Sequence, residues 1–313
     1  MFFRTLILTS IILELAAVPV PAKSSMTTRF FHSGNGVIRL VSEKNGKAFS
    51  GRFRLADGQY RTDAVRAIAA VFGAPDDPSR QVISLRLIEF LDYLEDRLNP
   101  GAQLTITSGY RAPEYNTRLR KRGGLAAKAS LHQYGMAVDL VMQGVPSKRV
   151  WETVKTIGFG GTGYYHGRAV HLDVGPARSW DEKTSGVGLG LSDDNKLIGL
   201  VTDYDVYHPG DTVVLSFIRM TAFPIGVRSE FRLIRKNPSE DAGETVAVDI
   251  DGGVSADGSC TEFHDIDQMA GFRWPLPPDL QPGRYRICAD FCGTRWEKMP
   301  ASILTPEFDV RRP

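Results

Sequence analysis

The chain has 313 residues, enough for about two domains. Apolar residues make up 42% of it and charged residues 24%, which excludes the disordered, collagen-like and disulfide-dense classes. The 38 Lys and Arg nearly balance the 36 Asp and Glu, leaving a formal +2 with no dense basic patch, so nucleic acid is not an expected partner.

Arg4 gives a short positive opening, Leu6 to Leu13 is almost unbroken apolar sequence, and the apolar character resumes from Leu15 to Val20. Val20-Pro21-Ala22 offers small residues where signal peptidase cleaves, so residues 1–22 read as a secretory signal and the chain as an exported protein of the periplasm or cell envelope. Glu14 interrupts the run, and the alternative is a membrane anchor; the run falls short of the roughly 20 apolar residues a span requires. No later stretch is apolar enough to cross a bilayer, so no transmembrane helix is expected after signal removal.

Residues 26–60 read as β-structure, with apolar runs at Val37, Ile38, Leu40 and Val41 and at Phe49, Phe53 and Leu55, and turns at Asn45-Gly46 and Asp57-Gly58. Two helices follow. Thr62 is placed to cap the first, which carries Val65, Ile68, Ala69 and Phe72; the second is expected from about Ser79 to Leu98, with Val82, Leu85, Ile88, Leu91 and Leu94 on one face. Asn99-Pro100-Gly101 stops it, and Leu104 to Thr107 reads as a short strand leading into the segment Ser108 to Trp180.

Gly186 to Gly190 is glycine-rich, and residues 186–196 are expected to be a linker. Beyond it Val213, Leu215 and Phe217 alternate, as do Phe231 and Leu233, Val246, Val248 and Ile250, Tyr285 and Ile287, and Phe308 and Val310. Pro209-Gly210-Asp211, Asp251-Gly252-Gly253 and Pro282-Gly283 punctuate them, so residues 197–313 read as a β-sandwich-like domain. Trp274 and Trp296 are read as sandwich core before binding face, and His264, Asp265 and Asp267 as a solvated loop before a cation site. The three cysteines, Cys260, Cys288 and Cys292, allow at most one internal disulfide, and which pair forms it is not readable. One bridge is favoured over a zinc site completed by His264.

The chemistry concentrates between Ser108 and Trp180. His132 and Asp139 sit seven apart with small residues between them, and His171 follows in Ala169-Val170-His171-Leu172-Asp173. Two imidazoles and a carboxylate are a workable donor set for a catalytic zinc, which keeps its fourth position for water and brings that water's pKa near 7. Spacing alone is a weak signal, since a histidine before a strand is more often a polar surface residue.

Ser130-Leu131-His132-Gln133-Tyr134-Gly135-Met136-Ala137-Val138-Asp139 matches every specified position of Ser-x-His-x-x-Gly-x-Ala-x-Asp. With Thr107-Ser108-Gly109-Tyr110-Arg111 before it, and Gly163-Tyr164-Tyr165 and Val170-His171-Leu172-Asp173 after it, the chain resembles the zinc D-Ala-D-Ala peptidases of the LAS type over roughly residues 28–180. Its nearest likeness is to their exported murein endopeptidase-like branch. The resemblance implies one zinc held by His132, Asp139 and His171, and a charge-stabilising role for Arg111, whose guanidinium would face a developing oxyanion. Ser130 would contact substrate or cap its turn; for Asn116 and Tyr165 packing is the favoured role and substrate contact the other. The fold class expected is α+β: a peptidase domain over 23–185 with a small antiparallel sheet holding the zinc and helices packed on one face, followed by the all-β domain.

One position departs from better-known members of that family. Many carry a glutamate base three residues before the last zinc histidine; here Arg168 stands there and cannot take a proton. Asp173, two residues beyond His171 and on the same face of a strand, is a candidate to activate water or to orient a zinc ligand. His166 is the other candidate base. The resemblance implies a zinc-dependent hydrolase of peptidoglycan stem peptides or their cross-links, with an endopeptidase favoured. The alternatives are a D-Ala-D-Ala carboxypeptidase or dipeptidase, and a catalytically silent, zinc-containing envelope-binding protein, which Arg168 favours. The C-terminal domain is expected to dock onto peptidoglycan, onto another envelope protein or back onto the peptidase domain.

Overall fold

Alternation of buried and exposed side chains starts at Val37, and the first hairpin follows directly from it. β1 (Val37–Ser42) pairs antiparallel with β2 (Ala48–Arg52), with Ile38 and Leu40 turned into the core. The Asn45-Gly46 turn closes it: Gly46 donates its N–H to the Ser42 carbonyl, and the Asn45 side chain accepts the Lys47 N–H. The computed structural model describes residues 28–77, 81–122, 127–184, 194–236, 246–248, 260–293 and 295–312. The expected signal segment 1–22 and residues 186–193 of the expected linker lie outside the described residues.

α1 (Thr62–Val71) buries Ala64, Ile68 and Val71. Arg61 occupies its N-cap and no side chain caps it, so Thr62 is the first helical residue and not the cap. α2 (Leu85–Leu98) begins six residues later than its apolar spacing predicts. Residues 81–84 lie outside the helix, and a long-range bond fixes its start: Ser84 donates its N–H to the Gly135 carbonyl; Ser79 and Arg80 lie outside the described residues. α2 is buried almost all round. Its apolar face packs into the core, and its polar residues Arg86, Glu89, Asp92 and Glu95 are buried as well. Glu89 pairs with Arg54 at 2.6 Å and Asp92 accepts the Gly36 N–H at 2.7 Å, so this side of the helix anchors the segment before and after β1 and β2.

β3 (Gln103–Ser108), α3 (Pro113–Lys121), a 3-10 turn at Leu131–Tyr134, β4 (Ala137–Met142), α4 (Ser147–Ile157), β5 (Gly161–Tyr164), β6 (Val170–Asp173) and β7 (Arg178–Asp181) complete this half. The strands form one seven-stranded sheet, ordered β2-β1-β3-β4-β6-β5-β7. The expected sheet was small and antiparallel; the observed one is larger and mixed, because β1 pairs parallel with β3 and β5 with β7. The crossover through α1 and α2 is long enough to return the chain in the same direction, as a parallel pair requires.

The second half is all β among the described residues. β8 (Gly199–Thr202), β10 (Thr212–Ile218) and β14 (Ala270–Pro275) form a three-stranded sheet. β9 (Val206–Tyr207), β11 (Ile225–Arg235), β12 (Val246–Val248), β13 (Cys260–Phe263), β15 (Gly283–Phe291), β16 (Ser302–Leu304) and β17 (Phe308–Val310) form the other. Phe217 of the first sheet meets Phe231 and Phe291 of the second, so the apolar faces share one core. Trp274 is buried in that core and Trp296 packs against it. Cys260 and Cys292 are disulfide-bonded and Cys288 is a buried thiol, which resolves the pairing left open by the sequence. Asp265 accepts the N–H groups of Asp267 and Gln268, an ordinary turn.

The two halves are joined by buried polar contacts. Arg86 on α2 lies 2.7 Å from Asp205 and donates to the Thr202 carbonyl at 2.9 Å. The Tyr134 hydroxyl accepts the Met220 N–H at 3.0 Å, and Val201 and Ile218 pack into the first core.

Candidate metal centre

Sheet register assembles the site. Ser108 on β3, Asp139 on β4, His171 on β6, Gly163 on β5 and Trp180 on β7 lie in one row across five strands. His132 reaches the row from the 3-10 turn. That turn ends at Gly135 with φ of 62°, where a Cβ would lie 1.8 Å from the Val82 carbonyl oxygen. Only glycine fits there, which is the physical reason for the glycine within Ser130–Asp139.

One donor atom each from His132, Asp139 and His171 falls within 4.8 Å of the others, and all three residues are buried. The ring of His132 lies with Nδ1 2.7 Å from the Gly109 carbonyl. A carbonyl only accepts, so Nδ1 carries the hydrogen and the Nε2 lone pair faces Asp139, 3.6 Å away. On His171 the roles are reversed: Nε2 lies 3.0 Å from Asp173 Oδ2, and Nδ1 lies 2.9 Å from Asp139 Oδ1. With the Nε2 hydrogen given to Asp173, Nδ1 and Asp139 Oδ1 are two acceptors facing each other, an arrangement that calls for a cation between them. The donor set therefore fits a metal ion of the nitrogen-and-oxygen-binding kind.

Electrostatics agree with the geometry. Burial lowers the His132 pKa and favours its neutral ring. Burial acts against charge on Asp139 too, but the two histidines hold its carboxyl well below the ordinary range. For His171 burial is outweighed by hydrogen bonds to the Asp139 and Asp173 carboxylates, which raise its pKa. A proton and a metal ion compete for the same lone pair.

The other residues expected at the site divide into three groups. Arg111 and Tyr165 join it: Arg111 Nη2 donates to Asp139 Oδ2 at 2.9 Å while being braced by Ser108 Oγ, and the Tyr165 hydroxyl donates to Asp139 Oδ1 at 3.0 Å. Burial and the Asp139 carboxylate raise the Tyr165 phenol, so it keeps its proton. Asp173 stands behind the site. Its side chain has no exposure, and it accepts hydrogen bonds from Gly161 N, Gly175 N and Arg178 besides His171, so it is placed to orient His171 and not to meet water. His166, Ser130 and Asn116 are not drawn to the donor atoms by any bond. His166 pairs with Asp181 at 2.7 Å and packs tilted against Tyr164, ring centroids 4.3 Å apart. Ser130 is buried ahead of the turn without a side-chain cap bond, and Asn116 donates to the Ala127 carbonyl. Arg168 is exposed and paired with Glu43.

Sequence reasoning missed three supports. Gly109 contributes its carbonyl, Arg178 holds Asp173 at 2.6 Å, and Trp180 lies against His171 with ring centroids 4.7 Å apart. The indole sits over Gly163, where a Cβ would come within 2.2 Å of it. The glycine of Gly163-Tyr164-Tyr165 was the one available signal for that contact.

A family model described as peptidoglycan L,D-endopeptidase MepK matches residues 33–180. The peptidoglycan L,D-endopeptidase MepK of Escherichia coli strain K12 is 27% identical over 179 residues, covering 56% of this chain and 95% of that protein. The probable peptidoglycan L,D-endopeptidase MepK of Haemophilus influenzae is 30% identical over 149 residues, covering 45% of this chain and 78% of that protein. The chain belongs to the MepK peptidase family. The family match ends at Trp180, the last residue of the site row, so the β-structure from Gly199 onward lies beyond it. Among solved structures, murine CEACAM1b overlaps at a TM-score of 0.20 and 13% identity, with 37% of this chain and 54% of that chain covered, too little likeness to inform the fold.

Proposed function

We propose that the chain is a zinc-dependent peptidoglycan endopeptidase of the cell envelope, an L,D-endopeptidase as its relatives are named, acting on stem peptides or their cross-links. The observation that carries this reading is the convergence of His132 Nε2, Asp139 Oδ1 and His171 Nδ1, with both imidazole tautomers set from outside by Gly109 and Asp173. These three residues would hold the metal. Zinc there would supply Lewis-acid polarisation of the scissile carbonyl and a water of lowered pKa.

The chain's own groups supply the rest. Arg111 presents a fixed positive charge beside Asp139, and its guanidinium is suited to the oxygen that gains charge in the transition state. Tyr165 holds a proton on Asp139 Oδ1 and can share that proton with a substrate oxygen or nitrogen in the same space. Asp173 fixes the His171 ring through its buried carboxylate, and the Trp180 indole walls one side of that ring against water. Ser130 and Asn116 support the turn and loop around His132, and His166 lies on the outer face beside Asp181. Export by residues 1–22 would deliver the enzyme to its substrate, outside the cytoplasmic membrane. Among the described residues no helix is long and apolar enough to cross a membrane.

A second reading, an envelope-binding protein without catalysis, is favoured by Arg168, which is bound to Glu43 where many relatives of the wider family carry a base. Digestion of purified peptidoglycan separates the two. Cross-linked muropeptides falling to monomers by mass spectrometry, stopped by a chelator and restored by zinc, support the endopeptidase. Release of a terminal D-alanine alone makes it a carboxypeptidase. Unchanged muropeptides with zinc bound leave the binding protein.

A further inference from the structure

A cavity of about 410 Å³ lies between the β1–β2 turn, the C-terminal end of α1 and the end of β3, the strand end that leads to the metal centre. Its inner wall is Ser108 and Gly109. Ser108 is the residue whose hydroxyl braces Arg111, and Gly109 is the one whose carbonyl sets His132. A second hollow of about 400 Å³ continues from it past Tyr110 and Tyr115. Anything seated here is in contact with the same strand end that positions the candidate reaction centre.

The lining is of one charge. Lys44 and Lys47 stand over the cavity, and among the described residues no acidic side chain lines either hollow. Of the nearby carboxylates, Glu43 pairs with Arg168, and Asp76 binds both arms of Arg66 while also lying within the field of Lys47. The lysines ride on a rigid turn. Asn45 ties it to the Ala70 carbonyl at 3.0 Å, Ser42 bonds back to the Lys47 carbonyl, and the Lys44 ammonium rests 4.4 Å from the centre of the Tyr115 ring. The floor is apolar, with Phe72 and Ile106. A hollow with an apolar floor, the Lys44 ammonium held over Tyr115 and an exposed Lys47 at its rim fits a short aliphatic side chain that ends in a carboxylate.

We propose that this cavity is a substrate subsite in which Lys44 and Lys47 bind a free carboxylate of the stem peptide next to the scissile bond, so that the protein distinguishes acidic stem peptides from amidated ones. The inference rests on the peptidase reading above. Stem peptides carry carboxylates along their length, and amidation replaces the charge with a neutral group of nearly the same shape. Lysine ammonium groups respond to that exchange, because a hydrogen bond to a charged partner is worth more than one to a neutral partner.

The test uses the full chain with zinc and two synthetic cross-linked peptides, one with free carboxylates and one with the same groups as carboxamides. The wild type is expected to cleave the free form with a kcat/KM higher by roughly tenfold or more, carried by KM. In Lys44→Gln/Lys47→Gln the KM for the free form rises to that of the amide form while kcat stays, and the amide form is cleaved as before. Both lysines are exposed, so the variant should fold. Equal cleavage of the two peptides by the wild type, or a discrimination that survives in the double variant, overturns the proposal. If the wild type cleaves neither peptide, the peptidase reading fails by itself. Calorimetric binding of the same two peptides then decides on the cavity: tighter binding of the free form, lost in the double variant, supports the subsite, and equal binding overturns it.

Discussion

Asp173 Oδ2 lies 3.0 Å from His171 Nε2, with no exposure to solvent, and Arg178 grips both carboxylate oxygens, Oδ2 at 2.6 Å and Oδ1 at 3.0 Å. Asp173 and His171 sit two residues apart on β6, a strand whose residues are buried on both faces. This placement makes Asp173 a residue that acts through His171. Burial opposes charge on Asp173, but hydrogen bonds from His171 and Arg178 hold its pKa below the ordinary carboxylate value. Asp173→Asn keeps the shape but weakens the hold on the ring, and metal affinity should fall by about 10–100-fold. Competition against a chromophoric chelator measures this. Unchanged affinity would return Asp173 to the list of candidate bases.

Arg86 and Asp205 join the peptidase half to the β half, with both side chains about 93% buried, since each keeps 7% exposure. Asp205 also accepts the Phe31 N–H at 3.1 Å. Arg86→Ala leaves a buried carboxylate without its cation and should destabilise the protein by about 3–5 kcal/mol. Replacing both by apolar residues of similar volume should recover much of that loss. Urea unfolding of the single and double variants tests the pair, and a single-variant loss under about 1 kcal/mol, the surface-pair range, would show that the halves are not held this way.

Asp92 gives the fold a pH dependence of unusual sign. Burial raises its pKa to about 7, with Asp96 and Glu89 adding repulsion against the pull of the Gly36 N–H and Arg54. The folded state therefore holds this proton more tightly than the unfolded chain, whose aspartate titrates near 3.9. The contribution is complete below the unfolded pKa and is lost as pH rises from about 4 through about 7. Asp92→Asn can still accept the Gly36 N–H. It should remove that slope and gain on the order of a few kcal/mol relative to wild type between pH 4 and pH 8. Denaturation midpoints of both proteins across that range provide the check; parallel curves would count against a raised Asp92.

Much of the site was legible because its donors lie in short local motifs. His132 with Gly135 and Asp139 depends on one turn and the strand after it, and His171 with Asp173 on one strand. What escaped the sequence depends on contacts between distant segments. The start of α2 is set by Ser84 bonding to Gly135, 51 positions away, so apolar periodicity alone extended that helix too far. Nothing local to Tyr165 announces its bond to Asp139, so its sequence context suggests packing. The mixed sheet follows from β1 meeting β3 after a two-helix crossover, which alternation within each strand does not encode. The β half was legible as strands and turns, while its grip on the metal-bearing turn, through Tyr134 and Met220, was not.

His132, Asp139 and His171 are proposed to hold one zinc ion. The most direct measurement is the zinc content per chain of the mature protein by elemental mass spectrometry, after dialysis against buffered zinc, for wild type, His132→Ala and His171→Ala. One zinc per chain is expected in the wild type and a near-complete loss in both variants, with circular dichroism unchanged. Zinc content that stays at one in either variant would contradict that ligand set.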